Sequence, residues 1–474
     1  MEREGLSQGG FERGNNIQLR RLAVISLARW PKVEDLRKKL NGRAKAKPEY
    51  RFYSLYDKVY RMDFLEAAYE QCRKNDGSPG VDRQTFKDIE KYGVARYLAE
   101  LAEELKALRY RPQPVKRVMI EKVGQPGKYR PLGIPTIKDR IVQQAVKLLL
   151  EPIYEADFTD NAYGYRAGKS ALDAVREVHE CLRTRYVDVV DADLSKYFDT
   201  IPHVELLRSI TRRIADSRVV WLIRQWLKVP VQETKENGKV VISGGKKTKV
   251  GTPQGGVISP LLANIYFRRF LVAWQQRGLD QKYQSRIVNY ADDFVILTRR
   301  HAQEAHAAAR RILMEIGLTL NEAKTRIVYA WKQPFDFLGY TFGKQYGLRG
   351  REYLGLRASD KNVQKYREKI RKLTGCDQTW RNAESVAVAL NQTTRGFWNY
   401  FRLGRVHETI HMLDEYLWER MREWARSKHP PSRGRSARRA RGQAARYEKL
   451  VAATKLLVWG RDILTTSAEA RSVL

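Results

Sequence analysis

Apolar positions along this chain switch between a helical and an alternating rhythm, and the switches mark out its elements. From Arg51 the spacing is helical: Leu55, Val59 and Met62 share a face, with Tyr56 and Tyr60 beside them. Asn75 to Gly80 is a loop by its turn chemistry, and Leu98, Leu101, Leu105 and Leu108 predict a second amphipathic helix, stopped before Pro112 and Pro114. Val115 to Ile120 alternates as a strand does. A Gly/Pro turn at Gly124 to Gly127 and the run Tyr129 to Pro135 complete a β-hairpin with cations at its tip. Ile141 to Leu150 is apolar enough for a core helix.

The alternating rhythm returns at Tyr186 to Asp193, a strand ending in acids. Helices follow over 204–229, with Leu206, Leu207, Ile210, Trp221, Ile223 and Trp226 as core candidates, and then a basic, Gly-rich hairpin over 237–247. Gly251 to Pro260 leads into a helix that Ser259 and Pro260 suit as N-cap and first residue. Ile287-Val288 and Phe294 to Leu297 predict two strands, with Asp292 and Asp293 in the tight turn between them. A turn of that kind is expected to be exposed, leaving both carboxylates ionised. A helix (301–316), Asn321 to Thr325, a strand (Arg326 to Ala330) and Phe335 to Tyr340 come next. Beyond about 360 the pattern is helical and basic: Val363, Tyr366, Ile370 and Leu373 line one face, and Lys361, Lys365, Arg367, Lys369, Arg371 and Lys372 fill the others.

Charge changes the picture most. Lys and Arg number 89 against 54 Asp and Glu, a formal net charge of +35 over 474 residues, which calls for a polyanionic partner. The cations run through the whole length, which favours nucleic acid over a membrane surface. Residues 1–48 read as a loosely ordered basic arm with one short helix near Leu22, and the Arg-rich run over 427–447 as a flexible nucleic-acid tail. The apolar patch Leu22 to Leu27 is too short for a signal or a span. Three scattered cysteines, Cys72, Cys181 and Cys376, exclude a disulfide framework and a paired-cysteine zinc site. A reducing, cytoplasmic compartment is the expectation.

Gly168-Lys169-Ser170 imitates the end of a phosphate-binding P-loop, but only three residues separate Gly164 from Gly168 where the motif needs four. An ATPase is therefore excluded. Two acidic sites borne on strands, near 193 and at 292–293, are what two-metal phosphoryl transfer requires, because Mg²⁺ prefers hard oxygen ligands and shares its shell with substrate phosphates. Period-2 alternation puts Asp191 and Asp193 on one face, and alternation alone does not choose between them.

Six motifs then occur in order: Arg-Pro-Leu-Gly-Ile-Pro (130–135), Asp193 with Phe198-Asp199, Thr-Pro-Gln-Gly-Gly (252–256), Tyr-Ala-Asp-Asp (290–293), Asn-x-x-Lys-Thr (321–325) and Phe-Leu-Gly-Tyr (337–340). Together they closely resemble the reverse transcriptases encoded by bacterial group II introns, over residues 50–430. The resemblance implies an α+β right-hand polymerase: fingers over 49–185 and a split-βαβ palm over 186–345 with an insertion at about 204–250. A helical thumb or maturase domain over 360–430 and a basic tail over 431–474 complete it. It implies Asp193 rather than Asp191 as first catalytic aspartate, with Asp292 and Asp293 completing a site for two Mg²⁺ ions. Phe198 becomes a gate against ribonucleotides, Gln254 and Gly255 line the dNTP pocket, and Lys122 with Arg130 clamps the triphosphate. Lys324 is the proton donor to pyrophosphate.

The implied partners are group II intron RNA or another structured RNA template, a DNA primer or target, and dNTPs, with no membrane. Leu390-Asn391 and Arg395 to Phe401 resemble the region that binds intron RNA and helps it splice. No cysteine follows Cys376, so no Cys/His-rich endonuclease domain is expected. The alternatives are a splicing cofactor whose polymerase is secondary, and a domesticated reverse transcriptase of host defence without an intron.

Overall fold

The computed structural model describes residues 27–121, 127, 129–235, 237–347, 350–428 and 457–465. Lys122, the short helix expected near Leu22 and the arginine-rich run from 429 to 456 lie outside the described residues. The chain divides into two compact units, one formed by residues 1–174 and 188–327, the other by 175–187 and 328–474.

The first unit opens with α1 (Pro31–Ala46), a sixteen-residue helix where a loose arm was expected. Its apolar positions are few but share a face, and Val33, Leu40 and Ala44 are buried. Arg37 donates to Leu148 O (2.6 Å) and pairs with Glu151 (2.9 Å), so part of the basic content is structural. Four helices follow: α2 (Tyr56–Val59), α3 (Met62–Asn75), α4 (Phe86–Tyr92) and α5 (Val94–Lys106). Leu108, expected on the face of the last, lies beyond its end and is exposed.

The predicted hairpin is β1 (Val115–Glu121) with β2 (Tyr129–Ile134), paired antiparallel. The core helix is α6 (Ile137–Glu155), capped by Thr136 and longer than its apolar stretch. Its first turns carry buried polar side chains that apolar periodicity passes over. Asp139 is the clearest: it accepts from Tyr110 Oη (2.6 Å) and from Gln113 N (3.1 Å). A buried polar group that is hydrogen-bonded is compatible with a core.

After α7 (Ala171–Arg183), most of which belongs to the second unit, come β3 (Asp188–Asp193), α8 (Tyr197–Thr200), α9 (His203–Thr211) and α10 (Ser217–Leu227). The hairpin of β4 (Pro230–Thr234) and β5 (Val240–Gly244) joins β1 and β2 in a mixed sheet ordered β2-β1-β4-β5. Next are α11 (Ser259–Gln276), α12 (Leu279–Lys282), β6 (Ser285–Tyr290), β7 (Asp293–Thr298), α13 (Ala302–Glu315) and β8 (Arg326–Tyr329). A second sheet, ordered β6-β7-β3-β8, sets both acidic segments side by side.

The second unit holds a three-stranded antiparallel sheet of β9 (Phe335–Phe337), β10 (Tyr340–Tyr346) and β11 (Glu352–Ala358). Its helices are α14 (Asp360–Leu373), α15 (Ala383–Tyr400) and α16 (His407–Lys428). Of the apolar face expected on α14, Tyr366 and Ile370 are buried while Val363 and Leu373 are half-buried. Val386, Leu390, Phe397, Trp398, Met421 and Trp424 are buried on α15 and α16, while Met412 is exposed. Part of the expected tail packs rather than trails. Leu457 is buried, Val458 N donates to Asn391 Oδ1 (2.7 Å), and Gly460 N donates to Asp414 Oδ1 (2.8 Å). No described helix is long and apolar enough to cross a membrane.

Candidate active site

Antiparallel pairing of β3 with β7 sets Asp193 directly opposite Asp293. Residues so paired have Cβ atoms only about 4.5–5.5 Å apart, and like charges there oppose pairing. A sheet built for stability alone would avoid that arrangement. Asp292 follows in the two-residue loop between Tyr290 and Asp293, whose other member, Ala291, has φ 60°. Glycine is favoured at such a φ, and a side chain there costs roughly 1–2 kcal/mol.

The neighbourhood holds this turn in place. Asn289 Nδ2 donates to Ala291 O (2.9 Å), and Asn289 N and Tyr163 N make main-chain bonds between β6 and Asn161–Tyr163. Gly164 lies against the turn so closely that a Cβ would meet Ala291 N, and Asn264 Nδ2 anchors its carbonyl (2.7 Å).

The turn is therefore half-buried, contrary to the exposed and freely ionised pair expected from its apolar flanks. Burial, then the neighbouring Asp292, Asp193 and Asp191, push the Asp293 carboxyl up to about 7. Burial and Asp193 likewise raise Asp292, against the opposing pull of Arg130 and Lys324. Lys324 Nζ donates to Asp193 Oδ2 at 2.8 Å, and that bond holds the ammonium above its ordinary range. Asn321 donates to the same carboxylate through Nδ2 (3.1 Å) and to Asp193 O through its main chain (2.8 Å). Asp191 is engaged elsewhere, with Arg326 at 2.8 Å.

Three further segments meet beside the acids. Phe198, on α8, is buried, its ring edge-to-face with Tyr165 at 6.4 Å. Burial, with Asp292 nearby, drives the Tyr165 hydroxyl up to about 12. The loop Gly251–Gly255 is tied to α8 through Thr252 N to Phe198 O (2.6 Å), and to β2 through Gly133 N to Gln254 O (2.6 Å). Gly255 has φ 106°, and a Cβ on it would run into Gly133 O, so glycine is required there twice over. Arg130 projects its charge towards Asp292 and Tyr165.

Asp193, Asp292, Asp293 and Lys324 are thus brought together, with Phe198, Gln254, Gly255 and Arg130 on adjoining segments. Lys122 lies outside the described residues. Tyr165, Asn289, Gly164 and Asn321 belong to the same neighbourhood and were missed as site residues. Only Asn321 carried a local signal, its place in Asn-x-x-Lys-Thr.

A divalent ion fits this donor set. All three side chains offer hard oxygens, and their mutual repulsion is only partly offset by Arg130 and by the Lys324 ammonium on Asp193. Among the described residues no group of three or more His, Cys, Asp or Glu side chains is arranged to hold a metal ion by itself. Mg²⁺ bound partly through substrate phosphates needs none.

Acidic strand ends paired on one sheet, with Phe198 and the loop Gly251–Gly255 on adjoining segments, fit a template-directed polymerase of the reverse transcriptase class. Residues 120–342 match the reverse transcriptase (RNA-dependent DNA polymerase) family, and residues 363–442 match the group II intron maturase-specific domain. The chain is 32% identical to Protein YkfC of Escherichia coli over 345 residues, covering 65% of this chain and 87% of YkfC. It is 28% identical to the group II intron-encoded protein LtrA of Lactococcus lactis, over 61% of this chain and 56% of LtrA, so it spans little more than half of that relative. A telomerase from Candida albicans, in complex with a fragment of telomeric RNA, covers 80% of this chain at TM-score 0.39 and 12% identity, too slight a likeness to bear on mechanism. The chain belongs to the group II intron-encoded reverse transcriptases, RNA-directed DNA polymerases that carry a maturase domain.

Proposed function

We propose that this protein copies an RNA template into DNA at the Asp193–Asp292–Asp293 centre, and that its helical unit binds group II intron RNA to assist splicing and mobility. The observation that carries the first part is the cross-strand pair Asp193–Asp293, with Asp293 pushed up to about 7 by burial and by its acidic neighbours. Repulsion held in a half-buried turn has a purpose only if cations arrive to use it.

Asp193, Asp292 and Asp293 would hold two Mg²⁺ ions, which supply activation of the primer 3′-hydroxyl and stabilisation of the leaving oxygen. Lys324, whose ammonium is held on Asp193, would give a proton to pyrophosphate. Arg130, with Lys122, would bind the triphosphate. Phe198, braced by Tyr165, would exclude a 2′-hydroxyl by bulk, while Gln254 and Gly255 form the opposite wall. On this reading 49–185 are fingers, 186–345 palm and 360–430 thumb. Cys72, Cys181 and Cys376 are not joined in disulfides, which suits a reducing, cytoplasmic setting.

Primer extension on an RNA template tests the assignment. Asp292→Asn is expected to abolish extension while leaving RNA binding in place, and retained extension would sink the metal-site reading. The maturase match over 363–442 also favours a splicing role separable from synthesis. That role predicts salt-sensitive binding to the intron and splicing that survives Asp292→Asn.

A further inference from the structure

At its start α16 reads His407-Glu408-Thr409-Ile410-His411. Residues four apart lie one above the other on a helix, so both imidazoles project from one face. Both are exposed, and their ring centres stand 4.6 Å apart with the planes at 66°. Two imidazoles on one zinc ion, each bound at about 2.0–2.1 Å, have ring centres roughly 5 Å apart. The pair already stands near that spacing, and side-chain rotation alone can aim two nitrogens at one point.

The surrounding charge favours a cation. No Lys or Arg occurs from Val406 to Glu419, in a chain of formal net charge +35, and Glu408, Glu415 and Glu419 are exposed there. Arg405, just before the helix, is occupied: it pairs with Glu408 (2.5 Å) and donates to Tyr346 O (2.6 Å). The opposite side of the helix is firmly seated, with Ile410, Leu413, Leu417 and Met421 buried. Imidazole nitrogen suits Zn²⁺, Ni²⁺ and Cu²⁺, whereas Mg²⁺ takes hard oxygens. This pair and the acidic centre therefore select different ions.

We propose that His407 and His411 form a binding site for a divalent transition ion of the Zn²⁺ class, with water completing its shell. The ion joins the first residue of α16 to the second turn. It thereby fixes the point at which the chain, after turning at Gly404 (φ 79°), enters the helix. Two protein ligands, rather than the four of a closed structural site, make binding reversible, with a dissociation constant on the order of 10 µM. Hydrolysis is no part of this site. In zinc hydrolases with this spacing the glutamate acts as base, and Glu408 is instead committed to Arg405. The site stands independently of the polymerase reading.

Calorimetric titration of ZnCl₂ into the full chain, with millimolar Mg²⁺ present to occupy the acidic centre, tests the site. Wild type should bind in the micromolar range, and His407→Ala and His411→Ala should each weaken that binding about tenfold or more. Both residues are exposed, so the variants keep the fold, and His411→Gln, polar but without the imidazole, should behave as His411→Ala. Cu²⁺, the tightest binder of the series, supplies a signature. Its electron paramagnetic resonance at one equivalent should carry two imidazole nitrogens in wild type and one in each single variant. Saturating Zn²⁺ should raise the melting temperature of wild type by about 2–4 °C and leave the variants unmoved. Zn²⁺ binding that is unchanged in both alanine variants, or weakened in only one, overturns the proposal, since the ion then sits elsewhere or on a single imidazole. Binding to wild type weaker than about 1 mM overturns it as well.

Discussion

Like charges are crowded in two places, the acidic turn between β6 and β7 and the basic helix α14, and the chain treats them differently. On α14 only Tyr366 and Ile370 are buried, while Lys361, Arg367, Lys369, Arg371 and Lys372 stand in solvent. Salt screens such charges over about 8 Å at physiological ionic strength, so their repulsion costs little and a polyanion meets a ready surface. At the turn, Asp193 and Asp293 face each other across two strands and Asp292 follows in a loop with Ala291 at φ 60°. Their repulsion is little screened and is carried by the fold. Exposed like charge supplies affinity, and half-buried like charge supplies chemistry.

Breaking the two regions separately should separate the two properties. The largest effect is expected from Asp293→Asn, which should slow single-turnover extension about a thousandfold, roughly 4 kcal/mol of transition-state stabilisation, with RNA affinity unchanged in a filter-binding assay. The triple replacement Lys361→Ala, Lys369→Ala, Lys372→Ala should do the reverse. It should weaken RNA binding about tenfold and reduce the slope of log K against log salt by about 2, while extension at saturating RNA keeps its rate.

The smallest effect sharpens the comparison through stability. Asp293 has a folded pKa of about 7, above its ordinary 3.8. It therefore favours the fold when protonated and opposes it when ionised, and this contribution is lost as pH rises through 7. In metal-free protein, Asp293→Asn should match wild type near pH 4 and melt about 2–4 °C higher at pH 8. Equal melting at pH 8 would mean that the turn is not strained by charge.

Local pattern made the acidic hairpin, the β1–β2 hairpin and α14 to α16 legible, because each is built from neighbours in sequence. Contacts between distant segments did not announce themselves. Burial of the acid pair depends on Asn161 to Tyr165 lying along β6, more than a hundred residues away, and nothing near Asp292 foretells it. Asn321 and Lys324 reach Asp193 across a similar gap, so a motif name marked them but not their bonds. The helix α1 was hidden by its charges, since three apolar residues suffice to bury one face when Arg37 and Asn41 hydrogen-bond to α6. The sheet β9–β11 escaped because only Phe335 to Tyr340 carries a local signal and the rest of its pairing lies further along.

Proton release on metal binding addresses the central claim most directly. Near pH 7 Asp293 is about half protonated, so Mg²⁺ binding at this centre should expel about half a proton, measurable by calorimetry in buffers of different ionisation enthalpy. The release should fade towards pH 9 and be absent in Asp293→Asn. Mg²⁺ binding that releases no proton from wild type at pH 7, or the same release from Asp293→Asn, would contradict the assignment of this turn as the metal site.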